Sequence, residues 1–146
     1  MTWVASDAER RAALAEHPLA ALVSPELPLR ANLSALENIA LVQQYQHKLD
    51  WPTAAAGAMG LLEQLECAGC AGKRDAGLTH EERFQVKLLR AVAVSPALVV
   101  IERPGYLLPD THYPPFVEAS LAAVQDRFGA YTIIDYAWNA PLYPPR

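Results

Sequence analysis

A carboxylate at the end of a short apolar run is the first feature of this sequence that could do chemistry. Residues 97–101 read "ALVVI", and Glu102 and Arg103 follow directly. A buried strand that ends in an acidic residue is one way for a nucleotide-hydrolysing sheet to present a magnesium ligand. Arginine does not suit that chemistry, because it stays protonated and cannot serve as a general base for water. Glu102 is therefore either a metal ligand or a strand-end carboxylate paired with Arg103 or another neighbour.

Two cysteines and four histidines are the other candidates for metal or redox chemistry. Cys67 and Cys70 form a C-x-x-C pair, which supplies only half of a tetrahedral zinc site. The pair is predicted to lie at the end of a helix, whereas redox pairs sit at a helix start after a strand. The histidines show no ligand spacing such as H-x-x-x-H and are expected to be solvated: His17, His47, His80 and His112. We predict no metal site and no cofactor.

The composition indicates one soluble globular domain. The chain has 146 residues, of which 52% are hydrophobic and 19% charged, and its net charge is −4. An acidic balance argues against nucleic acid and anionic lipid as partners. Because no apolar run reaches the roughly 18–20 residues of a membrane span and the start lacks a signal-peptide pattern, a cytoplasmic location is expected. The high apolar fraction also predicts an exposed patch for a protein partner.

Helices and strands alternate in the last third of the chain. Three stretches open with Ser or Thr followed three positions later by Glu, the capping-box pattern, and predict helices over 6–17, 33–49 and 79–96. A helix is predicted over 52–66, ended by the glycines at 69 and 72, and another over 114–128. Buried strands are predicted over 19–24, 97–101 and 131–135. The order helix, strand, helix, strand predicts a βαβ crossover and a parallel sheet.

From about residue 3 to residue 138, the order and spacing of these motifs resemble the later two-thirds of an ATP-binding-cassette (ABC) ATPase domain. Residues 3–41, "WVASDAERRAALAEHPLAALVSPELPLRANLSALENIAL", resemble the segment after the phosphate-binding helix, through the strand before the Q-loop and into the first helix of the helical subdomain. Residues 78–104, "LTHEERFQVKLLRAVAVSPALVVIERP", match without a gap the block from the LSGGQ signature to the Walker B strand. Residues 131–139, "YTIIDYAWN", occupy the place of the strand before the switch histidine.

The resemblance implies an α/β fold: a partial P-loop NTPase-like parallel sheet with an inserted helical subdomain. We expect a single domain over 1–146. Its sheet-containing core would comprise 1–32 and 96–146, and its helical subdomain 33–95.

The positions that would touch nucleotide in this family are altered. Glu102 stands at the place of the magnesium-binding Asp and Arg103 at that of the catalytic Glu. In the signature, Thr79 keeps a hydroxyl. The remaining signature residues are replaced, and the relic positions are His80, Glu81 and Glu82. Carboxylates there would repel a triphosphate. Pro25 falls near the place of the Q-loop glutamine and Ala137 near that of the switch histidine.

No phosphate-binding loop of the form G-x-x-x-x-G-K-[ST] occurs in the sequence. Residues 69–73, "GCAGK", have two residues between the glycines and no Ser or Thr after the lysine. The resemblance therefore implies that the chain begins downstream of the P-loop.

Two functions remain open. The first is a non-catalytic, ABC-ATPase-like interaction or regulatory subunit whose partner is an ABC ATPase, a transport component or a second copy, with contact to a membrane only through a permease. Residues 28–50 and 70–85 are the surfaces implied by the family. The second is an ATP-binding or ATP-hydrolysing subunit that completes its site across an oligomer interface. The tail offers Tyr136, Trp138 and Tyr143 either as a partner anchor or as a cover for the sheet edge.

Overall fold

The computed structural model describes residues 1–145, and its centre is a sheet of four parallel strands. The strands lie in the order β1–β4–β3–β2 and comprise Thr2–Val4 (β1), Ala21–Val23 (β2), Leu98–Glu102 (β3) and Ala130–Tyr136 (β4). The predicted parallel sheet and its three predicted strands are confirmed. The strand β1 was not predicted, because three residues are too few to show a period.

Residues 1–145 contain six α-helices. They comprise Asp7–Ala15 (α1), Ala35–His47 (α2), Trp51–Gln64 (α3), His80–Val92 (α4), Pro104–Leu107 (α5) and Tyr113–Ala123 (α6). Short 3₁₀ helices follow at Ala68–Cys70, Asp75–Gly77, Gln125–Arg127 and Ala137–Leu142. No helix among the described residues is long and apolar enough to cross a membrane.

The two faces of the sheet carry separate apolar clusters, as the alternation of side chains along a strand requires. Val99 and Ile101 of β3 join the larger cluster with residues of α2, α3, α4 and α6. Val100, between them, points to the other face and packs with Ala13 of α1. The β3 strand is therefore buried on both sides, and its last residue is delivered into the interior.

The capping boxes define the starts of α2 and α4 as predicted. At α4, the Thr79 hydroxyl accepts from the Glu82 amide at 3.1 Å, and the Glu82 carboxylate accepts from the Thr79 amide at 2.9 Å. The prediction for α1 is only half right. Ser6 accepts from the Glu9 amide at 3.2 Å, but the Glu9 carboxylate accepts from the amide of Ala5 instead of Ser6.

The end of α3 differs from its prediction. The helix ends at Gln64, well before Gly69, because Glu66 adopts a left-handed conformation with φ of 57°. The Cys67 amide then donates to the Leu62 carbonyl at 2.9 Å, and the Glu66 amide to the Glu63 carbonyl at 2.9 Å. This pair of bonds is a Schellman motif with glutamate at the position that usually holds glycine.

Two other helices are shorter than predicted. The helix α4 ends at Val92 instead of residue 96, and Ser95 turns the chain with φ of 50°. The helix α6 ends at Ala123, because the chain must turn to bring Gly129 against β3. A Cβ at Gly129 would lie 2.5 Å from the Ala97 carbonyl oxygen, so this approach requires glycine.

The helix α4 also holds the loop that follows β2. Arg90 donates to the Leu27 and Pro28 carbonyls at 2.7 and 2.8 Å. The Lys87 ammonium is buried and donates to the Ser24 carbonyl at 3.2 Å, and burial lowers the pKa of Lys87. These bonds fix the loop beside the carboxyl end of the sheet.

Candidate functional site

Glu102 ends β3 inside the protein, where its carboxylate is fully buried. One oxygen, Oε1, accepts from Nη1 of Arg10 at 2.7 Å, and the other, Oε2, accepts from Nε of Arg103 at 2.5 Å. Both carboxylate oxygens therefore face a guanidinium.

The two arginines come from different elements and share a second carboxylate. Arg10 lies in α1, and Arg103 follows β3 with a left-handed φ of 48°, which turns its side chain back onto Glu102. Glu26, in the loop after β2, accepts from Arg10 at 3.3 Å and from Arg103 at 3.0 Å. We call Arg10, Glu26, Glu102 and Arg103 the ionic cluster.

Charge neutralisation outweighs burial in the ionic cluster. Burial alone would lower the pKa of Arg10, but the Glu102 carboxylate raises it above its ordinary value. The Asp7 carboxylate extends the cluster toward solvent and accepts from Nε of Arg10 at 3.4 Å and from the Tyr136 hydroxyl at 2.6 Å. The Tyr136 hydroxyl and then Arg10 lower the pKa of Asp7. Arg10 thus stays charged, and Glu102 has its counter-ions within the protein.

The signature-like residues do not join this cluster. Thr79 and Glu82 cap α4, and Lys73 lies 3.4 Å from the Glu82 carboxylate. His80 and Glu81 are exposed, and the Glu81 carboxylate accepts from the Thr111 hydroxyl at 3.2 Å. Across residues 1–145, no hydrogen bond or ion pair connects this group to Glu102 or Arg103.

The two uncertain relic positions lie at the same edge as the ionic cluster without joining it. Pro25 lies in the loop after β2, and its neighbour Glu26 is the residue that binds the arginines. Ala137 follows β4 and is exposed. Glu26 was missed by sequence reasoning, because nothing in the pattern around Pro25 marks a strand-end acid.

The remaining candidates are dispersed. Cys67 and Cys70 are buried free thiols beyond the end of α3. His47 is exposed, as expected, and its Nε2 lies 3.2 Å from the Ala93 carbonyl. In the described part of the chain, no group of three or more His, Cys, Asp or Glu residues could hold a metal ion.

A second buried carboxylate, at the end of β4, was not predicted. Asp135 accepts from the hydroxyls of Tyr113 and Tyr143 at 2.7 and 2.8 Å. It also accepts from the amide of Tyr136 at 2.8 Å and from Nδ2 of Asn139 at 3.0 Å. Burial and then the Asp135 carboxylate raise the pKa values of Tyr113 and Tyr143. We call this group the tyrosine cluster.

Of the two alternatives for the tail, the tyrosine cluster favours a cover for the sheet edge over a partner anchor. Tyr136 is buried and Tyr143 half-buried, and the Tyr143 ring packs edge-to-face on Trp3 of β1 at 5.1 Å. Of the three aromatic candidates in the tail, Trp138 alone is largely exposed, and it stacks on Tyr136 at 4.2 Å. The tail therefore packs beside β1 at the sheet edge.

Residues of both clusters line a cavity of about 460 Å³ at the carboxyl ends of β3 and β4. Its lining includes Arg103, Tyr106, Asp135, Trp138 and Asn139. The Arg103 guanidinium lies 5.1 Å from the centre of the Tyr106 ring. A crevice at this edge is the usual ligand position in a parallel α/β sheet.

Comparison with known proteins gives structural matches alone. No protein-family model matches the sequence, and no curated protein matches it significantly. The dimeric structure of MJ0796, a bacterial ABC transporter cassette, aligns with a TM-score of 0.64 at 19% identity, over 94% of this chain and 60% of that chain. The chain has the fold of an ABC cassette. A dimeric post-hydrolysis structure of MJ0796 bound to ADP and Pi aligns equally well, with a TM-score of 0.64 at 19% identity, over 92% of this chain and 58% of that chain.

The structural alignment confirms the predicted fold over part of a cassette. The predicted P-loop NTPase-like sheet is confirmed, with the helices α2, α3 and α4 placed between β2 and β3. The chain spans about 60% of the length of the MJ0796 chain.

The carboxylate at the end of β3 does not fit a magnesium ion, and the start of α1 does not fit a phosphate. A magnesium ion needs carboxylate oxygens turned toward an open position, but guanidiniums occupy both oxygens of Glu102. The start of α1 does not offer a phosphate site either. Only Ala5 and Ser6, without a glycine, connect β1 to α1. The first turn of α1 also holds Asp7 and Glu9. Those carboxylates would repel a phosphate from the helix N-terminus.

Proposed function

We propose that this protein is a non-catalytic member of the cassette fold, a pseudo-ATPase that acts in the cytoplasm by binding another protein. The observation that carries the proposal is the pairing of Glu102 with Arg10 and Arg103. In a hydrolase, this strand-end carboxylate would hold a metal ion. Here two guanidiniums supply the positive charge, so the carboxylate stabilises the fold in place of a reaction.

Two further features support the loss of catalysis. Arg103 stands directly after the strand-end carboxylate, and its guanidinium cannot take a proton from water. The sequence also holds no loop of the form G-x-x-x-x-G-K-[ST], whose backbone amides and lysine would hold the phosphates.

A groove lined mainly by residues of the predicted range 28–50 supports binding of a protein partner. The groove of about 710 Å³ runs between α2 and the loop after β2, and its lining includes Arg30, Leu33, Leu41, Tyr45 and Arg90. Tyr45 is 85% exposed. Tyrosine, arginine and leucine side chains in a concave surface suit a partner that buries an apolar segment.

The candidate partners are an ABC ATPase, a component of a transport system or a second copy of this chain. The similar MJ0796 structures are dimeric, which supports testing the second copy first. A regulatory subunit of a transport system would contact the membrane through the permease, since the chain presents an acidic balance of charge.

Calorimetric titration with Mg-ATP tests the absence of a nucleotide site. We expect no heat of binding for the wild-type protein, alone or with a co-purified partner. Micromolar binding that Glu102→Gln abolishes would overturn the proposal, because this substitution keeps the size of the side chain and removes its charge.

Light scattering tests the groove. A dimer that Tyr45→Ser dissociates and Leu19→Ser leaves intact would support self-association, because Leu19 is 97% exposed and lies outside the groove. A monomer at all concentrations, with no partner recovered, counts against the interaction role.

A further inference from the structure

The two cysteines lie in a tight turn that was not predicted. Cys67 follows the Schellman motif, and the Cys70 amide donates to the Cys67 carbonyl at 3.1 Å. A turn closed by this bond from residue i+3 to residue i holds the two Cα atoms within about 7 Å of each other. A disulfide needs a Cα separation of about 4.4–6.8 Å, so the backbone already has a suitable span.

The sulfur atoms are chemically distinct. Hydrogen bonding from the Cys67 thiol lowers the pKa of Cys70, and the same contact, with burial, raises the pKa of Cys67. Burial and the Glu82 carboxylate oppose the Cys70 thiolate, whereas Lys73 favours it. This asymmetry favours Cys70 as the thiol that reacts first and Cys67 as the thiol that reacts second.

The outer side of the turn is open, although both thiols are buried. Gly69, between the cysteines, is exposed, and a Cβ there would meet no atom within 4 Å. The same is true of Gly72, just after the pair. A small opening of this turn at its solvent-facing glycines would admit an oxidant as small as hydrogen peroxide.

We propose that Cys67 and Cys70 are a reversible dithiol–disulfide pair that reacts with hydrogen peroxide. The Cys70 thiolate attacks one peroxide oxygen: an S–O bond forms, the O–O bond breaks, and the departing hydroxide takes a proton to become water. The sulfur of Cys67 then attacks the resulting sulfenic acid. An S–S bond forms, the S–O bond breaks, and the departing hydroxide leaves as water with the proton of the Cys67 thiol. Two thiols and one peroxide thus give one disulfide and two waters.

The turn is joined to the start of α2, so oxidation has a structural readout. The Ala35 amide donates to the Lys73 carbonyl at 2.8 Å, and the Leu36 amide to the Ala71 carbonyl at 3.0 Å. These are amides of the first turn of α2, which have no partner within the helix. A disulfide that restrains the turn restrains these carbonyls as well, and hydrogen exchange at Ala35 and Leu36 should slow.

Peroxide titration followed by thiol counting and peptide mapping tests the proposal. The chain has two cysteines, so thiol counts are unambiguous, and mapping separates oxygen added at its two methionines. We expect both free thiols of the wild-type protein to disappear and the mass of the peptide that holds them to fall by two hydrogen atoms. Dithiothreitol should restore both thiols and the original mass. In Cys67→Ser, a dimedone adduct should appear at Cys70, whereas in Cys70→Ser the thiol of Cys67 should survive the same dose.

Three results would overturn the proposal. The first is two free thiols after a dose that oxidises the denatured chain. The second is a disulfide between chains instead of within one. The third is preferential dimedone labelling of Cys67. Circular dichroism of each serine variant shows whether it is folded, and the wild-type result stands without the variants. None of these measurements depends on the absence of nucleotide binding.

Discussion

The ends of β3 and β4 hold buried carboxylates on neighbouring strands, and the two are stabilised in opposite ways. Glu102 is neutralised by two guanidiniums, whereas Asp135 accepts four hydrogen bonds from neutral donors. An ionic arrangement fails when one charge is removed, because the other charge remains buried. A neutral arrangement loses its donors one at a time. The two sites should therefore respond differently to substitution, salt and pH.

Arg10→Met should have the largest effect, because it leaves the buried Glu102 with one guanidinium. We expect a loss of about 3–5 kcal/mol in the free energy of unfolding. Urea denaturation measures it. Arg11→Met is the matched control on the exposed side of the same helix and should change stability by no more than about 0.5 kcal/mol. Equal effects from the two substitutions would contradict the ionic description of Glu102.

Asp135→Asn should have the next largest effect. The tyrosine hydroxyls can rotate toward a new partner. The Tyr136 amide and Nδ2 of Asn139 cannot, so in the variant they face either the NH₂ group of the new asparagine or its neutral carbonyl oxygen, which is a weaker acceptor than a carboxylate. We expect a loss of about 2–3 kcal/mol, in the range of hydrogen bonds to charged groups. Denaturation at low and high salt should give the same loss, because no cation is removed. A loss that disappears in high salt would indicate a charge partner for Asp135.

Much of the fold follows from local patterns, while most of the site does not. The capping boxes at Ser34 and Thr79 and the apolar run of β3 are local signals, and the structure confirms them. Arg10 and Glu102 are joined across most of the chain, and no nearby residue in the sequence marks that contact.

Of two structural features that were not predicted, Asp135 had a weak signal in the sequence and the turn at Glu66 had none. Asp135 follows "TII" at a strand end, as Glu102 follows "VVI", so the same reasoning applied twice would have found it. The Schellman turn at Glu66 carried none, because glycine normally occupies that position and the nearest glycine lies farther along the chain.

Tyr143→Phe should cost about 1 kcal/mol, because three donors to Asp135 remain. It should also change the alkaline titration. The folded-state pKa values of Tyr113 and Tyr143 are raised, so their contribution to stability is full below the unfolded pKa of about 10 and is lost as pH rises toward the folded values. Phenolate absorbance should show one fewer late-ionising tyrosine in the variant. Tyr45→Phe, at an exposed position, should leave that late phase unchanged.

Glu26→Gln should have the smallest effect. The side chain of Glu26 is 61% exposed, and it meets Arg10 and Arg103 at the solvent side of the ionic cluster. We expect a loss of about 0.2–1 kcal/mol that shrinks as salt is added. Thermal melts in low and high salt measure it. A loss as large as that of Arg10→Met would mean that Glu26, and not Glu102, is the main counter-ion.

The pairing of β1 with β4 has a consequence for how the protein folds. Thr2 lies beside Ile134, so the strand nearest the start of the chain finds its place next to one near the end. Contacts between such distant residues carry a large loop-closure cost before they contribute stability, and folding slows as their share rises. Until β4 has formed, β1 has no neighbour in the sheet. Completion of this edge should therefore be a late step in folding, and changes in β1 should speed unfolding more than they slow folding.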